Sequence, residues 1–484
     1  MTRPLAALLV PQLRWDPGAG FAYLAEFVDE AIELGVGGFW LSGGPRAEAA
    51  ALAAELHRRT RVPLLLAADV AEGPGSAFAD ATGLPPLAAL AALRDRDVIR
   101  RAARLTAREL RALGLNWALG PAGDLERDPA NPCVGADTFG RDAQRAAEHV
   151  VEWCDTAQAE GVLTCVRRFP GLGRATADPA LASAVVTADA ATLWGDDLLT
   201  FRAAADAGVA SIQAAGAAYP GLDRAGHAAS RSRPMLTELL RGELGFEGLV
   251  VSEALDAPGL RQGGDEATAA IAALAAGCDL LLAPYDLHGV LEAVEAAADG
   301  GLLAPAELAA SRRRRDFWAG WAAPGAGREP TLEDVLWARQ CADTLVHPVR
   351  GVLANIGPVV DVIQVEDGAA GAPAVPARDA LVRALAALGL KPRSVAGPTA
   401  DGEGAVLLAL HGGPRAGAGR AGYDEGTQRR VAQVIAEARL ARRSVVVALF
   451  GPPRLAAAIP EATNVVCAWS GSRAMQESLA RRLA

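Results

Sequence analysis

The chain has 484 residues, more than one ordinary hydrophobic core fills, so two domains are expected. Apolar residues make up 51% and charged residues 21%, a balance that excludes a disordered chain. The net charge of −10, with no basic stripe interleaved with aromatics, argues against a nucleic-acid partner.

Short apolar runs recur along the first 300 residues, at 5–10, 38–41, 63–68, 115–119, 162–166, 209–212, 249–252 and 279–283. Each is followed by an Ala- and Leu-rich stretch, such as 21–34, 47–58, 97–113, 142–160 and 264–276, whose apolar positions repeat every 3.6 residues. Eight strand–helix units predict a (β/α)8 barrel over residues 1–300. A doubly wound sheet is the alternative, because periodicity alone does not close a ring. Residues 301–345 read as a helical linker broken near Pro324 and Pro330, and 346–484 as a smaller α/β sandwich. The second domain has strand candidates at 351–356, 359–365, 405–410, 444–449 and 464–468, with helices at 377–388 and 423–440. The arginines at 312–315, followed by Phe317 and Trp318, read as a solvated helix face.

Six cysteines lie scattered without Cys-x-x-Cys spacing, and the six histidines lack metal-ligand spacing. Reduced thiols, no metal and no cofactor are expected. His227 and His288 fall in connectors and are the two histidines to look for near a pocket. The N-terminal apolar run is too short for a signal peptide, and no uncharged stretch reaches the roughly 20 residues of a membrane span. A cytoplasmic protein with no membrane partner is the expectation. Gly417-Ala418-Gly419-Arg420-Ala421-Gly422 fits a dinucleotide pattern, but no strand immediately precedes it, and it reads as a Gly-rich loop. The sequence does not define an oligomeric state.

In a (β/α)8 barrel the chemistry sits on the loops after the strands. Asp69, Asp124, Arg167, Arg168, Glu253 and Asp286 occupy those loops. Two segments stand out. Arg167-Arg168-Phe169-Pro170-Gly171-Leu172-Gly173 ends one strand, and Gly248-Leu249-Val250-Val251-Ser252-Glu253 delivers a carboxylate at the end of another. With Ala67-Ala68-Asp69, Asn131-Pro132, Thr138-Phe139-Gly140, Ala218-Tyr219-Pro220 and Ala276-Gly277-Cys278-Asp279-Leu280-Leu281, they resemble glycoside hydrolase family 3, nearest its β-N-acetylhexosaminidase branch.

That resemblance implies a retaining β-glycosidase that takes a small-molecule or oligosaccharide ligand. It implies an aspartate nucleophile after the seventh strand and an Asp-x-His pair as acid and base. In this chain the nucleophile position holds Glu253, and a Lys-His pair is replaced by Arg167-Arg168. The dyad aspartate is kept as Asp178, but Pro179 and Ala180 follow it and the imidazole is missing. Asp137 stands where an arginine is usual. Glu253 and Asp178 are therefore the catalytic candidates, with Asp69, Asp124, Arg167 and Arg168 as substrate-binding candidates.

A retaining site needs two carboxyl-type groups about 5–5.5 Å apart. One extra methylene moves a carboxylate by on the order of 1 Å, which can cost about 100-fold in rate. Two adjacent arginines would hold Glu253 ionised. Other acids to consider are Glu72, Asp124 and Asp256, or Glu366, Glu403 and Glu425 of the second domain. Two readings follow: an enzyme with altered catalytic residues, or a catalytically silent relative that binds a sugar or an anion.

Overall fold

The computed structural model describes residues 3–322, 327–353, 355–367, 379–398, 402–414, 417 and 419–484. They form two compact units. The first comprises Met1–Thr82, Asp95–Asp128 and Thr138–Thr331; the second gathers Leu332–Ala484 with two earlier segments, Gly83–Arg94 and Pro129–Asp137.

The first unit is a parallel barrel. Its strands are β1 (Leu9–Val10), β2 (Gln12–Arg14), β3 (Gly38–Ser42), β4 (Leu65–Asp69), β5 (Trp117–Leu119) and β6 (Leu163–Phe169). After the short β7 (Ala184–Val185) come β8 (Ser211–Ala214), β9 (Ala217–Ala218), β10 (Leu249–Ala254) and β11 (Leu280–Leu282). β7 and β9 pair apart from the barrel, whose order is β1-β11-β10-β8-β6-β5-β4-β3-β2. The two ends of that order are consecutive pieces of one strand. They part at Pro11, which has no N–H to give a ladder. The Ala283 amide donates to Val10 O and the Trp40 amide to Pro11 O, both at 2.9 Å, so the ring closes through this proline. Counted that way the barrel has the eight expected strands, and the doubly wound alternative falls. The run at 5–8 is not strand: Pro4–Leu8 form a 3-10 turn that leads into β1.

Alternate residues fill the barrel, as the period of two requires. Leu65 and Ala67, Trp117 and Leu119, Leu163 and Cys165, Leu249 and Val251, and Leu280 and Leu282 share one buried cluster. Ala319 of the helix Pro305–Trp321 and Ala322 just after it join the cluster, and this helix closes the N-terminal end of the barrel. Asn116 Nδ2 at the start of β5 donates to Ala322 O at 3.1 Å. Arg315, only 3% exposed, donates to Gly37 O and Pro63 O at 2.6 Å. Ser311 and Arg314 bind the Asp279 carboxylate at 2.7 and 2.9 Å. This stretch is a plug anchored under the strands, and the expectation of a uniformly solvated arginine face is corrected for Arg314 and Arg315. The second helix of the expected linker, Leu332–Leu345, belongs to the second unit.

In the second unit, β12 (His347–Arg350), β13 (Val359–Glu366), β14 (Lys391–Ser394), β15 (Ala405–His411), β16 (Val445–Phe450) and β17 (Val465–Cys467) form one sheet. Its order is β12-β17-β16-β15-β13-β14, with only β12 antiparallel. Numbered within the parallel part, this is the 2-1-3-4-5 order of a flavodoxin-like sheet. Four of the five expected strands are present. The expected strand at 351–356 is replaced by β12, and its residue Ala354 lies outside the described residues. So do residues 377–378 of an expected helix and Ala418 of the Gly-rich loop.

Candidate functional site

The polar layer at the C-terminal mouth continues the alternation that builds the core. After Leu65 and Ala67 comes Asp69; after Leu163 and Cys165 comes Arg167. The Asp69 carboxylate is 41% exposed and accepts from Arg167 Nη1 at 2.5 Å and from the Ala71 amide at 3.2 Å. It is an accessible anion with a fixed orientation.

A strand would send Arg168 to the opposite face. Instead the register between β6 and β8 slips from Arg167↔Gln213 to Phe169↔Ala214, a bulge at Arg168, whose φ is +77°. Such a conformation is costly for a side-chain-bearing residue, and bulges of this kind re-aim side chains beside functional sites. The re-aimed Arg168 bonds through Nε to Asp124. Asp124 also accepts from the Leu172 amide at 2.6 Å, and its side chain is 0% exposed. It was expected among the ligand-binding groups. As placed, its carboxylate meets no solvent and holds Arg168 and the loop after β6.

That loop is pinned along its length. Tyr219 OH donates to Gly171 O at 2.9 Å. Arg174 reaches Asp197 at 2.8 Å and Asp196 at 2.5 Å, and Arg127 also binds Asp196. Asp178 is 4% exposed, and its carboxylate accepts from the Ala180 amide at 3.0 Å in a tight turn. Pro179 O accepts from the Gly259 amide at 2.9 Å. This approach needs glycines. A Cβ at Gly259 would sit 2.7 Å from Pro179 Cβ, and one at Gly216 would sit 3.1 Å from Pro179 Cβ and 3.2 Å from Glu253 Cγ.

Glu253 stands on a second bulge, where β10 slips against β11 between Val251 and Ala254. Two buried hydroxyls bridge the slip. Ser252 Oγ accepts from the Leu282 amide at 3.1 Å, and Ser230 Oγ accepts from the Glu253 amide at 3.0 Å. The half-buried Glu253 carboxylate accepts from the Ala254 amide at 3.1 Å. Burial pushes its pKa above the ordinary carboxyl value; the Ala254 amide and then Arg168 and Arg167 oppose the rise, and Asp178 adds to it. Both arginines thus favour the ionised form of Glu253, as expected, but burial outweighs them in the direction of the shift.

The mouth therefore brings together Glu253, Asp178, Arg167, Arg168 and Asp69, with Asp124 buried beneath. Sequence reasoning missed Ser230 and Ser252, whose roles depend on the bulge. It also missed Gln12, the first residue of β2, whose Nε2 donates at 3.1 Å to Oγ of Ser42, the last residue of β3. Strand alternation from Val10 and Trp40 was the available signal. His227 and His288 are exposed, 3.7 Å from Asp223 and 3.4 Å from Glu30. Asp256 is exposed. No group of three or more metal-ligating side chains occurs among the described residues.

Residues 42–315 match the model of the glycosyl hydrolase family 3 N-terminal domain. A β-N-acetylglucosaminidase/β-glucosidase of Cellulomonas fimi is 34% identical over 285 residues, 57% of this chain and 50% of that protein. The matched region thus spans half the length of that relative. A β-hexosaminidase of Chromobacterium violaceum is 32% identical over 278 residues, covering 55% of this chain and 77% of the relative. The structure of a family 3 β-N-acetylglucosaminidase from Paenibacillus sp. str. FPU-7 superposes with a TM-score of 0.84 at 23% identity, over 99% of this chain and 95% of that one, a likeness of fold. With the family model covering more than half of its residues, the chain belongs to glycosyl hydrolase family 3.

Proposed function

We propose that the protein is a retaining β-glycosidase that hydrolyses terminal β-linked sugars, with N-acetylglucosaminides as the first substrates to test. The supporting observation is Glu253: a half-buried carboxylate at the end of β10, beside Asp178 and within the field of two fixed guanidiniums. In this reading Asp69 accepts hydrogen bonds from sugar hydroxyls and Arg167 fixes Asp69. Glu253 attacks the anomeric carbon and forms a glycosyl ester. Water then cleaves the ester with retention of configuration. The poor solvation that raises its pKa also leaves the ionised carboxylate little water to shed before attack. Ala180 has no proton to give the leaving oxygen, so Asp178 takes the acid and base role. Asp124 is a positioning residue.

A specific observation also favours a silent, sugar-binding relative: the turn at Asp178, Pro179 and Ala180 carries one carboxyl group and no imidazole. A panel of nitrophenyl β-glycosides separates the readings. Turnover with a β-configured first product supports the enzyme. No turnover on any of them, with sugar binding that Asp69→Ala abolishes, supports the silent relative.

We also propose a cytoplasmic location. All six cysteines are buried free thiols, which suits a reducing compartment. Burial pushes the Cys341 thiol up to about 11 and those of Cys165 and Cys467 to about 12, so they are unreactive. Among the described residues no helix is long and apolar enough to cross a membrane. The partner proposed is a small sugar or oligosaccharide, with no nucleic acid and no membrane.

A further inference from the structure

The arginine run on the plug helix divides by face. Arg315 and Arg314 anchor the plug, whereas Arg313 is exposed and makes no ion pair among the described residues. Spacing of four residues sets Arg313 beside Phe317 and Arg314 beside Trp318 on one stripe of the helix. Phe317 is 64% exposed.

This stripe forms one wall of a groove of about 540 Å³, and the turn before β10, with Phe246 and Glu247, forms another. The groove lies at the N-terminal end of the barrel, the end opposite Glu253. Its volume falls within the roughly 300–1,000 Å³ of small-ligand sites. Glu247, like Arg313, is exposed and unpaired among the described residues.

The chemistry of these walls is selective. A simple anion would be drawn to Arg313 and repelled by Glu247; a simple cation meets the reverse. A neutral polyhydroxylated ring satisfies both, because its hydroxyls accept from a guanidinium and donate to a carboxylate. Its C–H face covers an aromatic ring that water solvates poorly.

We propose that this groove is a second carbohydrate-binding site, separate from the mouth, which takes a di- or trisaccharide across Phe317 between Arg313 and Glu247. The site does not depend on turnover at Glu253. It would hold the chain on an oligosaccharide whether or not the mouth is catalytic.

Fluorine NMR of protein labelled with 5-fluorotryptophan tests it at the site, with the Trp318 signal assigned from Trp318→Phe. The probes are cellobiose and N,N′-diacetylchitobiose, added to Glu253→Gln protein so that neither is consumed. Saturable shifts of the Trp318 signal are expected, with affinity weakened at least about fivefold by Phe317→Ala or Arg313→Ala. Both are exposed changes that leave the plug anchors intact. No shift up to the solubility limit would overturn the proposal, as would unchanged affinity in both variants. A larger effect from sodium benzoate or inorganic phosphate than from either disaccharide would overturn it too.

Discussion

Glu253 carries the chemistry proposed for the mouth, and its environment makes two demands that can be measured. Burial raises its pKa, so kcat/KM should fall on the acid side at a pH above the ordinary carboxylate range. Arg167 partly counters that rise, and Arg167→Gln should move the acid limb to still higher pH. A limb in the ordinary carboxylate range, unmoved by the variant, would contradict this. The buried pair of Arg168 and Asp124 makes a stability claim. Removing either partner takes from the other the opposite charge it meets directly in a buried setting, at a cost of about 3–5 kcal/mol. In urea unfolding, Arg168→Met and Asp124→Leu should each lose that much, and the double variant should lose clearly less than the sum. Strict additivity would mean that the pair is not coupled. Asp69, Arg167 and Glu253 were legible in the sequence because strand ends follow from apolar periodicity. The burial of Asp124 was not, since it depends on a bulge that turns Arg168, and no pattern in the residues announces a backbone slip.

At the scale of elements, seven of the eight barrel strands overlap the apolar runs, the first does so through β1 alone, and each of the five stretches of 3.6-residue period holds a helix. The first strand is the informative exception: Pro11 splits it, and its two halves pair with different neighbours. β14 went unread because Lys391-Pro392-Arg393-Ser394 is polar and carries a proline, as suits an edge strand whose N–H groups need no partner. The plug helix was misread as linker because its partners are remote; Arg315 and Gly37 lie 278 residues apart. Three hydrogen bonds from that buried guanidinium hold the starts of β3 and β4 to the plug. Arg315→Met keeps the aliphatic stem but removes the donor to those carbonyls, leaving Gly37 O with the Leu65 amide at 3.2 Å, and should destabilise the barrel by about 3 kcal/mol in denaturant unfolding. A loss below about 0.5 kcal/mol would show that the plug does not depend on it.

For the whole molecule, the expected order of barrel, linker and sandwich captured the two α/β architectures but not how chain segments group. Gly83–Arg94 and Pro129–Asp137 associate with the second unit, a non-local grouping that local propensity does not encode. Acid stability is also a property of the whole fold, and His149 contributes to it. Its ring packs at 5.6 Å from Phe139, and neither nitrogen has a hydrogen-bond partner among the described residues. Burial lowers its pKa; Arg145 and Arg96 add to that, while Glu148 and Glu152 oppose it. The unfolded chain takes up this proton below a pH of about 6.5 and the folded chain does so only at lower pH, so stability is lost as pH falls through that window. His149→Phe should flatten the fall in melting temperature between pH 7 and 5, and an unchanged slope would remove His149 as its source. The most direct test of the mouth remains the turnover of nitrophenyl β-N-acetylglucosaminide by the natural chain and by Glu253→Gln, which preserves shape and removes the charge. The natural chain should turn over, and the variant should be slower by about 1,000-fold or more; equal rates in the two proteins would contradict the nucleophile assignment.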